Sequence, residues 1–342
     1  MNAAVDEFEF FFEKAWSDGL PVVAPTEERI ARMLDGSARH PEEVLGEVPP
    51  ADEEASVRTV AIHAVMAGCK PEYLPVVIAG MEAVLDERFN MNGIQGTMHS
   101  CAPLMIVNGP YAKEIGLHGG SGCFGPGFRA NATIGRAIRL MLFNLGGGIP
   151  GVVSMTTFSQ PSRYTFCIAE NEADSPWEPL SESRGFAPGE NVLTVVACEN
   201  PQITFDDTSS APERMLVAVA DTMSHMGSLN TLGSGDIVVA MGPEHARLCA
   251  KAGLSKADVR GRLTEMAGRR IGDLKRGGGY REERVRALPF PVDMDDDDVF
   301  IPTVKHPDCL HIIVAGGIPG PISMVLHGWN ASSRPVSKKI EV

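Results

Sequence analysis

Nothing in this chain reads as a disulfide framework or a zinc finger. Its 7 cysteines are an odd count scattered through apolar stretches, and no C-x-x-C occurs. That usage predicts a reduced, cytoplasmic protein. No run approaches the ~20 apolar residues of a membrane span, so no membrane partner is expected. Met1 to Asp18 lacks a basic start and carries Asp6, Glu7, Glu9 and Glu13, so no secretory signal is read there. Basic residues are outnumbered, 30 Lys+Arg against 44 Asp+Glu, for a net charge of −14. Without a basic stripe to neutralise phosphates, nucleic acid is excluded as the main partner. G-x-S-x-G is absent, so Ser154 and Ser323 are not nucleophile elbows.

What is present is a phrase said twice. Gly147-Gly148-Ile149-Pro150-Gly151 continues to Ser154-Met155, and Gly316-Gly317-Ile318-Pro319-Gly320 continues to Ser323-Met324. A second echo joins Val107-Asn108-Gly109-Pro110 to Ala240-Met241-Gly242-Pro243, each reading as a buried strand, a Gly-Pro turn and a helix opened by Pro. The echoes differ in spacing, so one copy carries an insertion or the other a deletion. The expectation is an α/β fold of two related α/β halves, an internal duplication about a pseudo-twofold axis, with mixed sheets flanked by helices. A chain of 342 residues with 44% hydrophobic content can build such a core. The divisions read as an N-terminal helical arm over 1–55, a first half over 56–200 and a second over 201–342. Ligand sites favour the crevice between such halves and the carboxyl ends of strands.

Local patterns fill in the elements. Phe8, Phe10, Phe11, Phe12 and Trp16 crowd the first helix and suggest burial or docking on another subunit, hence a homo-oligomer. Ser56–Met66 and Pro71–Leu85 predict a helical hairpin. Arg129–Asn144 predicts a helix, Val192–Ala197 and Tyr164–Ile168 strands, and Ser255-x-x-Asp258 a capping box. Asp293 to Asp298 is an acidic run read as a solvated loop. It lacks the glycine and terminal Glu of an EF-hand.

Three clusters carry chemistry. His99 and Cys101 precede the Leu104 strand, while His118 and Cys123 bound a glycine-rich loop. Together they form a possible His2Cys2 set for copper or zinc. Alternatively, Cys101 or Cys123 is a nucleophile whose thiol a nearby His or helix N-terminus acidifies. The loop's Gly120-x-Gly122-x-x-Gly125 mimics a dinucleotide fingerprint but follows no predicted strand. With Gly122, Arg129 and Asn131 at a helix start it suits a carboxylate or phosphate instead, or serves simply as a tight turn. Glu170-Asn171-Glu172 and Trp177 follow a strand end, where Glu170 or Glu172 would move protons, Asn171 would bind substrate and Trp177 would wall the pocket. His311 and His327 are lone histidines of the second half.

Several long stretches resemble a poorly characterised bacterial family. They are Leu20-Pro21-Val22-Val23, Met66-Ala67-Gly68-Cys69 through Tyr73-Leu74-Pro75, Arg129-Ala130-Asn131-Ala132-Thr133-Ile134-Gly135-Arg136, and Cys167-Ile168-Ala169-Glu170-Asn171-Glu172. The family is associated with small partners bearing a selenocysteine- or cysteine-Gly-Ser-Cys motif, similar to that of the glycine and betaine reductase group. The resemblance implies an enzyme more than a reaction. This chain has no Gly-Ser-Cys, so such chemistry would need a partner protein.

The combined expectation is an enzyme that makes or breaks a carbon–heteroatom bond on a small anionic substrate, as a lyase or a thiol-dependent reductase. It would use no cofactor or a copper or zinc ion. The alternatives are a metal-binding protein using His99, Cys101, His118 and Cys123, or a non-catalytic subunit of a thiol/selenol system.

Overall fold

Strands buried on both faces dictate the architecture. In β1 (Ala102–Asn108), Leu104 and Ile106 point one way while Met105 and Val107 point the other, and all four are buried. Such strands need a covering layer on each side. The computed structural model describes residues 6–233, 235–277 and 280–342.

The other strands of the two main sheets are β2 (Cys167–Ala169), β3 (Val192–Cys198), β4 (Gln202–Phe205), β5 (Ile237–Met241), β6 (Leu310–Val314), β7 (Ile322–His327) and β8 (Val336–Lys339). One sheet has the order β8-β3-β1-β2 and the other β4-β7-β5-β6. Polarity matches as well. β1 is parallel to β2 and β5 to β6, while every other pair is antiparallel. The last strand of each set is exchanged: β4 follows β3 but pairs with β7, and β8 follows β7 but pairs with β3. The protein is thus an α/β fold with mixed sheets.

The repeated phrase does not follow this correspondence. Its first copy lies before β2, and its second lies after β6. Strand for strand, those are different places.

The sheets stack face to face. Leu104, Ile106, Ile168 and Val196 meet Val238, Ala240, Ile313 and Leu326 in one apolar layer. Helices cover the outer faces. α1 (Val57–Ala67), α2 (Leu74–Val84) and α3 (Arg129–Asn144) pack on the first sheet, with Ile134 and Ile138 against the Met105 face. α5 (Pro212–Met223), α6 (Pro243–Lys251) and α7 (Lys256–Met266) cover the second through Leu216, Ala246 and Leu263. A short α4 (Leu180–Ser183) follows β2 at the rim. The sheets therefore meet through an apolar layer, and polar crevices are left to the edges.

Local chemistry sets the helix limits. Ser56 Oγ accepts from Thr59 N at the start of α1, and Gly68 closes it at φ 86°. Ser255 and Asp258 form the expected capping box on α7. The stretch expected as a strand from Tyr164 is shorter, because Pro161–Arg163 turns as a 3-10 helix and pairing starts only at Cys167. The N-terminal region holds helices Glu7–Glu13 and Glu27–Leu34, and also a hairpin of Val44–Val48 with Glu53–Ser56. The acidic loop is tied down by Lys275–Asp297 (2.7 Å) and Arg270–Asp298 (2.8 Å) ion pairs. Among the described residues, no helix is long and apolar enough to cross a membrane.

His327 makes the core sensitive to acid. It is fully buried on β7, with Nε2 3.1 Å from the Met223 carbonyl and the His225 ring edge-on at 4.8 Å. Burial holds its pKa down at about 4, against an ordinary 6.5. A depressed folded pKa stabilises fully above 6.5, and that stabilisation is lost as the pH falls toward about 4. The loss is on the order of 3 kcal/mol. The melting temperature of the wild type should therefore drop more steeply than that of His327→Gln between these limits. Parallel slopes would refute the assignment.

Candidate functional site

The carboxyl ends of the two parallel strand pairs lie against each other, and Glu170 joins them. Its side chain is wholly buried just past β2. Oε2 accepts from Asn108 Nδ2 (2.8 Å) at the end of β1 and from Leu180 N (2.7 Å) at the start of α4. Oε1 accepts from Val314 N (3.3 Å) at the end of β6 and lies 3.9 Å from Lys256 Nζ on α7. Burial pushes the Glu170 carboxyl up and the Lys256 ammonium down. Asn171 continues the seam. Its N–H donates to Val314 O (2.8 Å), and its side-chain amide donates to Gly316 O and Asp174 Oδ2 (both 3.0 Å).

Most other residues expected to act are occupied by structure. Glu172, exposed, accepts from Asn108 Nδ2 and Gly109 N, both at 2.9 Å. Asn131 clasps the glycine-rich loop, accepting from His118 N (2.9 Å) and donating to His118 O (2.8 Å) and Cys123 O (3.1 Å). Arg129 is exposed and donates to Gly68 O (3.0 Å), so it faces away from that loop. Trp177 packs beside the second core, with Nε1 donating to Leu254 O (3.0 Å).

The cysteine and metal readings are corrected. His99 and Cys101 sit at the start of β1, whereas His118 and Cys123 lie beyond its far end. A seven-residue strand separates the two pairs. Among the described residues, no group of three or more His, Cys, Asp and Glu could hold a metal. His99 Nδ1 pairs instead with Glu199 Oε1 (3.2 Å), while His118 stacks on Phe128 at 3.8 Å and bonds Ser121 O (3.0 Å). All seven cysteines are buried. Burial pushes the Cys101 thiol up to about 12 and raises Cys123 also, the reverse of nucleophile activation.

The glycine-rich loop meets the second Gly-Gly-Ile-Pro-Gly copy. A Cβ on Gly317 would fall 2.5 Å from the Ser121 side chain, so that approach requires glycine. The loops enclose a cavity of about 320 Å³ bordered by Gly122, Cys123 and Ser323. Ser323 Oγ lies 2.8 Å from His245 Nδ1, but His245 is backed by a backbone carbonyl, Asp206 O at 3.2 Å, not a carboxylate.

A better-equipped cavity, about 340 Å³, opens between α4, α7 and β6. His311, Lys256, Arg184, Arg260 and Ser183 line it. His311 Nε2 lies 2.8 Å from Asp236 Oδ1, a carboxylate that also pairs with Arg334 (3.3 Å). An Nε2–H···Asp236 bond leaves Nδ1 as the basic nitrogen, and Nδ1 has no protein partner among the described residues. Lys256, backed by Glu170, donates to Glu178 O (2.8 Å). Arg184 donates to Ser337 Oγ (2.5 Å) and Pro335 O (3.0 Å). Neither Arg184 nor Arg260 has a carboxylate within 4.0 Å among the described residues. Sequence reasoning reached Glu170 and noted His311. It missed Asp236, Lys256 and Arg184, whose partners lie far away in the chain. No family model, curated protein or solved structure matches the chain.

Removing the Glu170 charge should be costly, since it leaves a buried ammonium uncompensated. Glu170→Gln is expected to lose about 3 kcal/mol or more, read from the denaturant midpoint. Glu172→Gln, on the exposed side, should lose about 1 kcal/mol or less. Equal losses would remove Glu170 from its central place.

Proposed function

We propose that the protein is an enzyme that makes or breaks a carbon–heteroatom bond in a small organic anion, by proton transfer in the cavity between α4, α7 and β6. One observation carries this reading. Two acid–base groups, each backed by a buried carboxylate, open on the same cavity, and its wall also holds two arginines with no carboxylate within 4.0 Å among the described residues.

The roles follow from the chemistry. Arg184 and Arg260 hold a carboxylate. His311 Nδ1 takes a proton from the carbon beside it, with Asp236 steadying the ring and the charge it gains. The C–H electrons become a carbon–carbon double bond, and the heteroatom leaves with its bonding pair. Lys256, its ammonium made more acidic by burial, gives that heteroatom a proton. The reverse sequence is an addition. Of the two reaction types expected, this is the lyase. The thiol-dependent type would need a partner's thiol or selenol, because this chain's own thiols are buried.

A homo-oligomer is part of the proposal. Its support is the exposed apolar side chains of Phe8, Phe12 and Trp16, and of Ile203 and Phe205 on the edge strand β4.

The test is a screen of short 2- and 3-substituted carboxylates, followed by ultraviolet absorbance of the new double bond. Against the substrate found, His311→Asn should lower kcat by about 10²- to 10⁴-fold. Cys101→Ala and Cys123→Ser should stay within about twofold, equivalent to less than about 0.5 kcal/mol. Full turnover by folded His311→Asn, or loss of turnover in Cys123→Ser, would overturn the reading.

A further inference from the structure

Each main sheet ends in two edge strands, and one of these edges is open. β8 carries Lys338 and Lys339, charges that oppose the addition of another strand. β2 is only three residues long, and the glycine-rich loop closes on it where Ala169 N donates to His118 O (3.2 Å). The end of β6 is bonded to Glu170 and Asn171, and α4 packs against that strand. β4 reads Gln202-Ile203-Thr204-Phe205, with neither lysine nor proline inside it.

The ladder with β7 shows which groups of β4 are free. Asp206 N donates to Pro321 O (3.1 Å), so these two residues form a hydrogen-bonded pair of an antiparallel ladder. Every second residue shares that role, so Thr204 and Gln202 also bond inward. Ile203 and Phe205 turn their N–H and C=O groups outward, and among the described residues these meet no other backbone group. Side chains alternate as well. Thr204 Oγ1 faces α5 and donates to Thr222 Oγ1 (2.8 Å). Ile203 and Phe205 project from the opposite face, where they are 64% and 59% exposed. Ile322 of β7 lies directly across from Phe205 and is 38% exposed on the same face. Free backbone groups and exposed apolar side chains thus belong to the same two residues.

Symmetry and charge select the occupant. Turned about a twofold axis at Thr204, a second β4 sets its Phe205 opposite Ile203 and its Ile203 opposite Phe205. The outward N–H and C=O groups of these residues then bond one another, and two apolar pairs lie side by side on one face. The flanks are compatible. Asp206 falls opposite Gln202, an uncharged amide, and Asp207 falls opposite Pro201. No acid faces an acid, although each copy carries a net charge of −14.

We propose that β4 is a homodimer interface, in which the edge strands of two copies of this chain pair antiparallel about an axis at Thr204. The second sheets of both copies then run on as one. This names the contact surface of the homo-oligomer proposed above and rests on that reading. The His311 cavity lies at β6, the opposite edge of that sheet, and stays open in the dimer. A four-residue strand makes a small contact, so the dissociation constant is expected on the order of 10 μM.

The test is sedimentation velocity of the full chain over a concentration series. The wild type should pass reversibly from monomer to dimer. Phe205→Lys should raise the dissociation constant at least about tenfold. Ile203→Pro should do the same while sparing the ladder with β7, because the N–H it removes points outward. Phe12→Lys, on the separate apolar surface of the N-terminal region, should change it less than about twofold. Ile203→Lys and Phe205→Glu chains should each stay monomeric alone and recover a dimer when mixed, since the two new charges face each other across the axis. Circular dichroism and thermal unfolding establish that each variant is folded, and Phe205→Lys serves if Ile203→Pro is not. A wild type that stays monomeric up to about 100 μM overturns both this interface and the homo-oligomer. A dimer that the folded β4 variants leave intact, or that Phe12→Lys dissolves instead, overturns this interface alone. Mixed chains that remain apart overturn the pairing about Thr204.

Discussion

A single carboxylate with no exposure to water holds the two sheets in register at the carboxyl ends of their parallel strands. Glu170 takes hydrogen bonds from the ends of β1 and β6 and from the start of α4, and it faces a lysine of α7. Four segments distant in sequence thereby share one charge. Such a group is stabilising only while every partner is present, because desolvating a carboxylate costs more than any one of these bonds returns. The consequence reaches the cavity beside it. Lys256 can be buried at that wall because Glu170 stands behind it, and its altered acidity follows from the same burial.

The sandwich explains why polar chemistry lies at the rim. The inner strands β1, β3 and β5 are buried on both faces, so polar groups between the sheets are confined to the edges. His311 shows the limit. It shares the orientation of Ile313, toward the other sheet, but β6 is an edge strand, and there the ring meets Asp236 and opens on a cavity. The exchange of β4 and β8 between sheets adds to this closure. β4, which follows β3, edges the second sheet beside β7, and β8, which follows β7, edges the first beside β3.

What the sequence made legible was local. Helix α3 was readable to its last residue because its apolar periodicity is uninterrupted, and the Ser255–Asp258 box declared the start of α7. Strand runs such as Val192–Cys198 stood out because two-sided burial leaves no polar alternation to confuse them. Partnerships were not legible. His99 and Cys101 looked like partners of His118 and Cys123 because both pairs flank the same strand, but they flank opposite ends of it. The repeated Gly-Gly-Ile-Pro-Gly pointed to two equivalent loops, while the matching features are strand order and polarity, which no short phrase records. That His311 meets Asp236 depends on packing between segments that no spacing rule connects.

The same physical effect decides which side chains remain available for chemistry. Removing water disfavours the charged form of any group, but charge means opposite things for thiols and amines. Buried cysteines are held protonated and lose their nucleophilicity, as Cys101 and Cys198 are. A buried lysine is driven toward the neutral amine, so its ammonium yields a proton more readily. Buried arginines stay charged under nearly all conditions. A fold this thoroughly desolvated therefore silences its thiols while sharpening its amines and guanidiniums. The anionic substrate and the proton transfers proposed for the His311 cavity match the groups that such desolvation leaves charged or poised.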